Sequence, residues 1–95
     1  MLNLIRETPS DEIFSRQQWW SAGQYEVLVS YDKPLCCLHI TDKAQRKDIS
    51  WLVAHRIGQI NGVKLDTTAT IDSQFVKIPE RHVRELLLQI DSLSE

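Results

Sequence analysis

Three histidines, His39, His55 and His82, and two adjacent cysteines, Cys36 and Cys37, have the widest chemical reach in this 95-residue chain. Cys37 and His39 are two positions apart, so on one strand they share a face and offer two ligands to a metal. A zinc site needs three or four converging ligands, and the sequence holds no Cys-x-x-Cys pair, no His-x-x-x-His pair and no second cluster. A Cys–His nucleophile would have to join Cys36 or Cys37 to His55, which only the fold could bring together. Neighbouring cysteines point to opposite faces of a strand and make a strained disulfide, so the pair reads as two reduced, packed residues. Gly23, Gly58 and Gly62 are isolated, and no phosphate-cradling loop is present. These residues argue against an enzyme and predict no catalytic residue, no metal and no cofactor.

The basic residues form two groups. Lys43, Arg46 and Lys47 fall in one, and Lys77, Arg81 and Arg84 in the other. Acidic Asp42, Asp48, Glu80 and Glu85 interleave them, the pattern of a solvated face. Eleven Lys and Arg stand against 13 Asp and Glu, so the net charge of −2 gives no long-range pull on a polyanion. A nucleic-acid-associated regulator using these six basic residues is therefore the alternative function. The stretch from Val76 to Leu86, with Ile78-Pro79 and Arg84-Glu85, resembles the strand-Ile-Pro-helix-Arg-Glu segment of AbrB-type swapped-hairpin DNA-binding domains. That family continues into further strands after a short helix, whereas a longer helical pattern follows here, and no DNA-binding residues are carried over.

The elements that position these side chains follow from periodicity. Thr8-Pro9-Ser10-Asp11-Glu12 carries helix-start chemistry and predicts a helix to about Ala22, stopped by Gly23. Tyr25, Val27, Val29 and Tyr31 alternate with Glu26, Leu28 and Ser30, which predicts a strand. Asp32-Lys33-Pro34 turns the chain into a returning strand, Leu35 to Thr41, apolar on both faces. A second helix is expected from Lys43 to Ile60, with Ile49, Leu52, Val53, Ile57 and Ile60 on one stripe and Asn61-Gly62 as its stop. Val63 to Ile71 reads as a half-exposed strand and Phe75 to Ile78 as a short one. Pro79 opens a last helix with Val83, Leu86, Leu87, Ile90 and Leu93 on one face.

The expected fold is one α+β domain over residues 1–95. It has two layers, an antiparallel sheet of about four strands packed by helices, in the order helix-hairpin-helix-hairpin-helix. The alternative is a ferredoxin-like core, with Leu2 to Ile5 as an edge strand and an extra C-terminal strand and helix. Hydrophobic residues at 42% and charged residues at 25% fit an ordinary globular chain and exclude low-complexity classes. No signal-type apolar segment or membrane-length run occurs, so a cytoplasmic chain without a membrane partner is expected.

One apolar feature lies outside the predicted core. Trp51 falls about 180° from the stripe of the second helix at ~100° per residue, with Ala54, His55 and Gly58 beside it. Trp19 is off-stripe on the first helix. These five residues predict a contact face for a second copy or another protein. The leading function is a small protein-interaction module, with a regulatory role in view and a homodimer as its form. A third reading is a small-molecule binder or enzyme with a pocket involving Trp19, Tyr25 or His39.

Overall fold

A computed structural model describes residues 1–9, 16–32, 34–71 and 73–94. Strand periodicity governs the first half. β1 (Leu2–Thr8), β2 (Gln17–Ala22), β3 (Tyr25–Asp32) and β4 (Leu35–Asp42) form an antiparallel meander. β5 (Lys47–Asp48) folds back on the end of β4. Helix α1 (Ser50–Ile57) follows, then a separate small hairpin of β6 (Gln59–Ile60) and β7 (Val63–Lys64). β8 (Thr67–Ala69) and β9 (Gln74–Pro79) return the chain to the main sheet, and a 3-10 turn at Glu80–His82 leads into α2 (Val83–Leu93). The main sheet has seven strands, ordered β1-β2-β3-β4-β9-β8, with β5 paired to β4 beside that path.

This is a β-rich fold with two short helices. It replaces both the helix-hairpin-helix-hairpin-helix arrangement on about four strands and the ferredoxin-like alternative. Two of the expected helices account for the difference. The first was expected to reach Ala22, but Gln17–Ala22 is a strand in register with β3, Trp20 opposite Val27 and Trp19 opposite Leu28. Aromatic residues favour a pleated surface, and Gly23 (φ +62°) closes a two-residue hairpin rather than stopping a helix. Of the expected helix start, Thr8 is the last residue of β1, and residues 10–15 lie outside the described residues.

The second expected helix is cut at both ends. Asp42 Oδ1 accepts the N–H groups of Ala44 (2.9 Å) and Gln45 (3.1 Å), turning the chain so that Lys47 and Asp48 pair back onto β4. The helix begins only at Ser50. Gly58 (φ +81°) ends it, donating its N–H to Ala54 O at 2.8 Å. Asn61 (φ +49°) and Gly62 (φ +83°) are then the two central residues of the β6–β7 hairpin, both in the left-handed region that an Asn-Gly turn supplies. The expected strand from Val63 to Ile71 is broken at buried Leu65, which donates its N–H to Gly58 O, and its two halves join different sheets.

The strand alternation of β3 and β4 sorts the sheet into two faces. Tyr25, Val27, Val29, Cys36, Leu38 and Ile40 are buried, while the residues between them are half-exposed. Ala22, Val76 and Ile78 extend the buried face. α1 packs over β4, β8 and β9, and α2 packs over β1, β2 and β3. On α2 the buried residues are Val83, Leu86, Leu87 and Ile90, the spacing of one helical face. Ser50, fully buried at the head of α1, ties the layers together. Its Oγ accepts the Ile40 N–H at 2.9 Å and donates to Gln74 O at 3.3 Å, while Asp48 Oδ1 accepts the Ser50 N–H at 2.9 Å.

Candidate functional site

Both helices sit on one side of the sheet, which leaves the other side uncovered among the described residues. Cross-strand register assembles a row there. Arg6 pairs with Trp19, Trp19 with Leu28, and Leu28 with His39. Phe75 on β9 continues the row, its ring centroid 5.2 Å from that of His39. The row crosses five adjacent strands, about 19 Å at ~4.8 Å per strand. Its side chains are half-exposed except Arg6, which is exposed.

Charge is placed at both ends of this row. The Arg6 guanidinium lies 3.9 Å from the Trp19 ring centroid, and Lys77 Nζ lies 5.5 Å from that of Phe75. Among the described residues neither cation enters an ion pair. Between them, Trp19, Glu26, Leu28, His39, Thr41 and Asp48 line a shallow hollow of about 390 Å³. The Asp48 carboxylate at its rim is committed to the backbone, accepting the N–H groups of Ser50 and Gln74. Lys43 reaches the neighbouring edge, bonding Ser21 Oγ and the Gly23 carbonyl (3.0 Å). The face thus combines aromatic and aliphatic surface with cations at its ends and with Glu26, His39 and Asp48 around the hollow.

The helix-side residues near β2 are engaged with one another. Gln18 Oε1 accepts from Tyr31 Oη (2.6 Å) and Trp20 Nε1 (3.1 Å), and Gln18 Nε2 donates to the Glu7 carboxylate. The Arg16 guanidinium covers the Tyr31 ring at 4.0 Å. Gln18 joins β1, β2 and β3 through these bonds, whereas Arg16 Nε is buried without a hydrogen-bond partner among the described residues, 3.8 Å from the Glu7 carboxylate.

The residues singled out from sequence are dispersed. Trp51 is 53% exposed on α1, and His55 and Gly58 are exposed with it, but Ala54 is buried at 3%. Ser50, Val53 and Ala54 form the buried side of the shortened helix, so the core direction is rotated toward Ala54 and away from Leu52, which is only half-buried. Trp19 lies on the opposite side of the sheet from α1, so the five expected contact residues do not form one patch. Tyr25 is buried on the helix side, while Trp19 and His39 border the same hollow on the open side. Of the six basic residues, Lys43 and Arg46 sit in the turn after β4, Lys47 on β5, Lys77 on β9, Arg81 in the 3-10 turn and Arg84 on α2. His82 is buried with Nδ1 3.3 Å from Asn61 Nδ2, and His55 is exposed on α1. Among the described residues no three His, Cys, Asp or Glu side chains are placed to hold a metal ion.

Arg6, Leu28 and Phe75 were absent from the sequence reading of the site. Leu28 was visible as the odd apolar residue on the polar side of its strand, but joining it to Trp19 and Phe75 requires the register. No protein-family model, no curated protein and no solved structure matches this chain. Among the described residues no helix is long and apolar enough to cross a membrane.

Proposed function

We propose that this chain is a cytoplasmic, non-catalytic binding module that holds an extended segment of another protein against the open face of its sheet. The uncovered row from Arg6 through Trp19, Leu28 and His39 to Phe75 carries this reading. The fitting segment has apolar side chains for the hollow and carboxylates for Arg6 and Lys77 at its ends. Trp19, His39 and Phe75 are already partly covered, so each offers a fraction of the about 150–250 Å² that a fully exposed aromatic side chain can bury.

Selection of a displayed random-peptide library on the immobilised protein tests this. Enriched peptides are expected to have an apolar centre with acidic flanks. They should lose roughly tenfold or more in affinity on Trp19→Ala combined with Phe75→Ala. Peptides that bind the double variant as well as the wild type would put the binding surface elsewhere. A second reading has one observation in its favour: cations beside aromatic rings on an open antiparallel sheet also suit single-stranded nucleic acid. The excess of acidic over basic residues weighs against it. Oligonucleotide binding that falls steeply with salt and requires Trp19 would establish it over the protein reading.

A further inference from the structure

We propose that two copies of this chain pair through β1, antiparallel about a twofold axis, joining their sheets into one. This inference is independent of the open-face reading, because it uses the edge of the sheet. β1 spans seven residues at the end of the strand order, and its outer edge pairs with nothing among the described residues. The opposite edge, β8, spans three. A long edge strand presents a row of unsatisfied backbone donors and acceptors, and proteins guard such edges with lysine, proline, bulges or a covering element. Leu2–Thr8 contains no lysine and no proline, and its two charged residues are engaged inward, Arg6 over the Trp19 ring and Glu7 with Gln18 on β2. Its one irregularity is a bulge between Leu4 and Arg6, and the strand remains paired with β2 on both sides of it.

Exposed apolar side chains gather at this edge in both layers. Leu4 is 47% exposed and Ile5 56% on β1, and Leu88 is 41% exposed on α2. Asp91, three residues after Leu88, places its carboxylate 3.1 Å from the Met1 nitrogen, so this flank of α2 borders the start of β1. The edge is thus apolar in the sheet layer and in the helix layer above it. An added peptide strand would satisfy the backbone and leave Leu88 in water. A second copy, related by a twofold axis perpendicular to the sheet, brings its own α2 to the same side and covers both layers.

The area is sufficient for a reversible dimer. Seven residues span about 23 Å, and a sheet with a helix layer is about 20 Å deep, giving on the order of 500 Å² per copy. Two copies then bury on the order of 1,000 Å², the lower bound for a specific interface.

Sedimentation velocity from low to high micromolar concentration reads the result. The wild type is expected to show a monomer–dimer equilibrium. Ile5→Lys and Leu88→Glu should each weaken it roughly tenfold or more, with an unchanged circular dichroism spectrum showing that the exposed-site variants fold. Trp51→Glu should dimerise as the wild type does. Amide exchange in β1 should slow as concentration rises. A wild type that stays monomeric throughout overturns the proposal, as does a dimer that yields to Trp51→Glu and not to Ile5→Lys.

Discussion

Arg6 and Trp19 face each other across β1 and β2 only because a bulge intervenes. Leu4 pairs with helix-side Trp20, so unbroken alternation would send Arg6 to the helix side as well. The register shift between Leu4 and Arg6 admits one extra residue and delivers Arg6 to the open face, over the Trp19 ring. An exposed cation–π contact contributes about 0.5–1 kcal/mol. Arg6→Ala should lower the unfolding free energy by about that amount in urea titrations, and Arg6→Lys should retain part of it.

Ser50 gives a sharper stability prediction. Ser50→Ala removes the acceptor for the buried Ile40 N–H and the donor to Gln74 O in one change. An unsatisfied buried group costs about 1–3 kcal/mol, so the variant should fall in that range by chemical denaturation. Ser50→Thr keeps the hydroxyl but must fit a methyl at a fully buried site, and it should also destabilise.

Gly23 is held by two constraints. Its φ of +62° disfavours any side chain, and a Cβ there would lie 1.5 Å from Ser94 Oγ at the end of α2. Gly23→Ala should cost more than about 1 kcal/mol, above the range for a glycine in an unstrained position. Combining it with Ser94→Gly should recover the part due to the clash and leave the part due to the turn. Thermal denaturation of the single and double variants separates the two.

Burial of Cys36, with Glu80 adding to the effect, pushes its thiol up to about 11 from an ordinary value of 9.0. The folded state therefore keeps its proton where the unfolded chain has lost it. The stabilising contribution is complete below about pH 9 and is lost as pH rises toward 11, by up to about 3 kcal/mol at ~1.4 kcal/mol per pH unit. Cys36→Ala should flatten the stability profile over that window. A thiol reagent at pH 8 should leave Cys36 unmodified until the protein unfolds.

The legible parts of the sequence were those where local pattern and tertiary role coincide. The β3–β4 hairpin and the α2 stripe carry strong alternation or helical spacing, and both occur where expected. Gln17–Ala22 was misread because Gly23 serves equally as a helix stop and as the first residue of a hairpin turn, and the pairing with β3 decides which. Ile49 and Ile60 matched a helical stripe, yet Ile49 precedes the helix and Ile60 belongs to β6. Both are buried, so their apolar character was read correctly while their period was accidental. Asn61-Gly62 was the local signal that could have corrected this, since it names a tight hairpin more specifically than a helix end. Leu52 illustrates the energetic consequence: half-buried rather than central, it should lose less on truncation than Leu87, for which about 2–5 kcal/mol is expected. The open-face row was illegible because its members lie on five strands, and no linear pattern encodes which strand neighbours which.

The pairing of β4 with β9 sets an order of assembly. β2, β3 and β4 are joined by short connections, and each can zip from its turn. Leu38 and Val76, by contrast, meet across 38 positions of chain. Loop closure costs about 0.6 kcal/mol for each doubling of length, so joining β9 carries roughly 2.5 kcal/mol more entropy loss than closing a two-residue turn. The meander is therefore expected to form before β9 and its helices join it. Core truncations in the β2–β4 meander should slow refolding, whereas truncations in α1 or β9 should chiefly hasten unfolding.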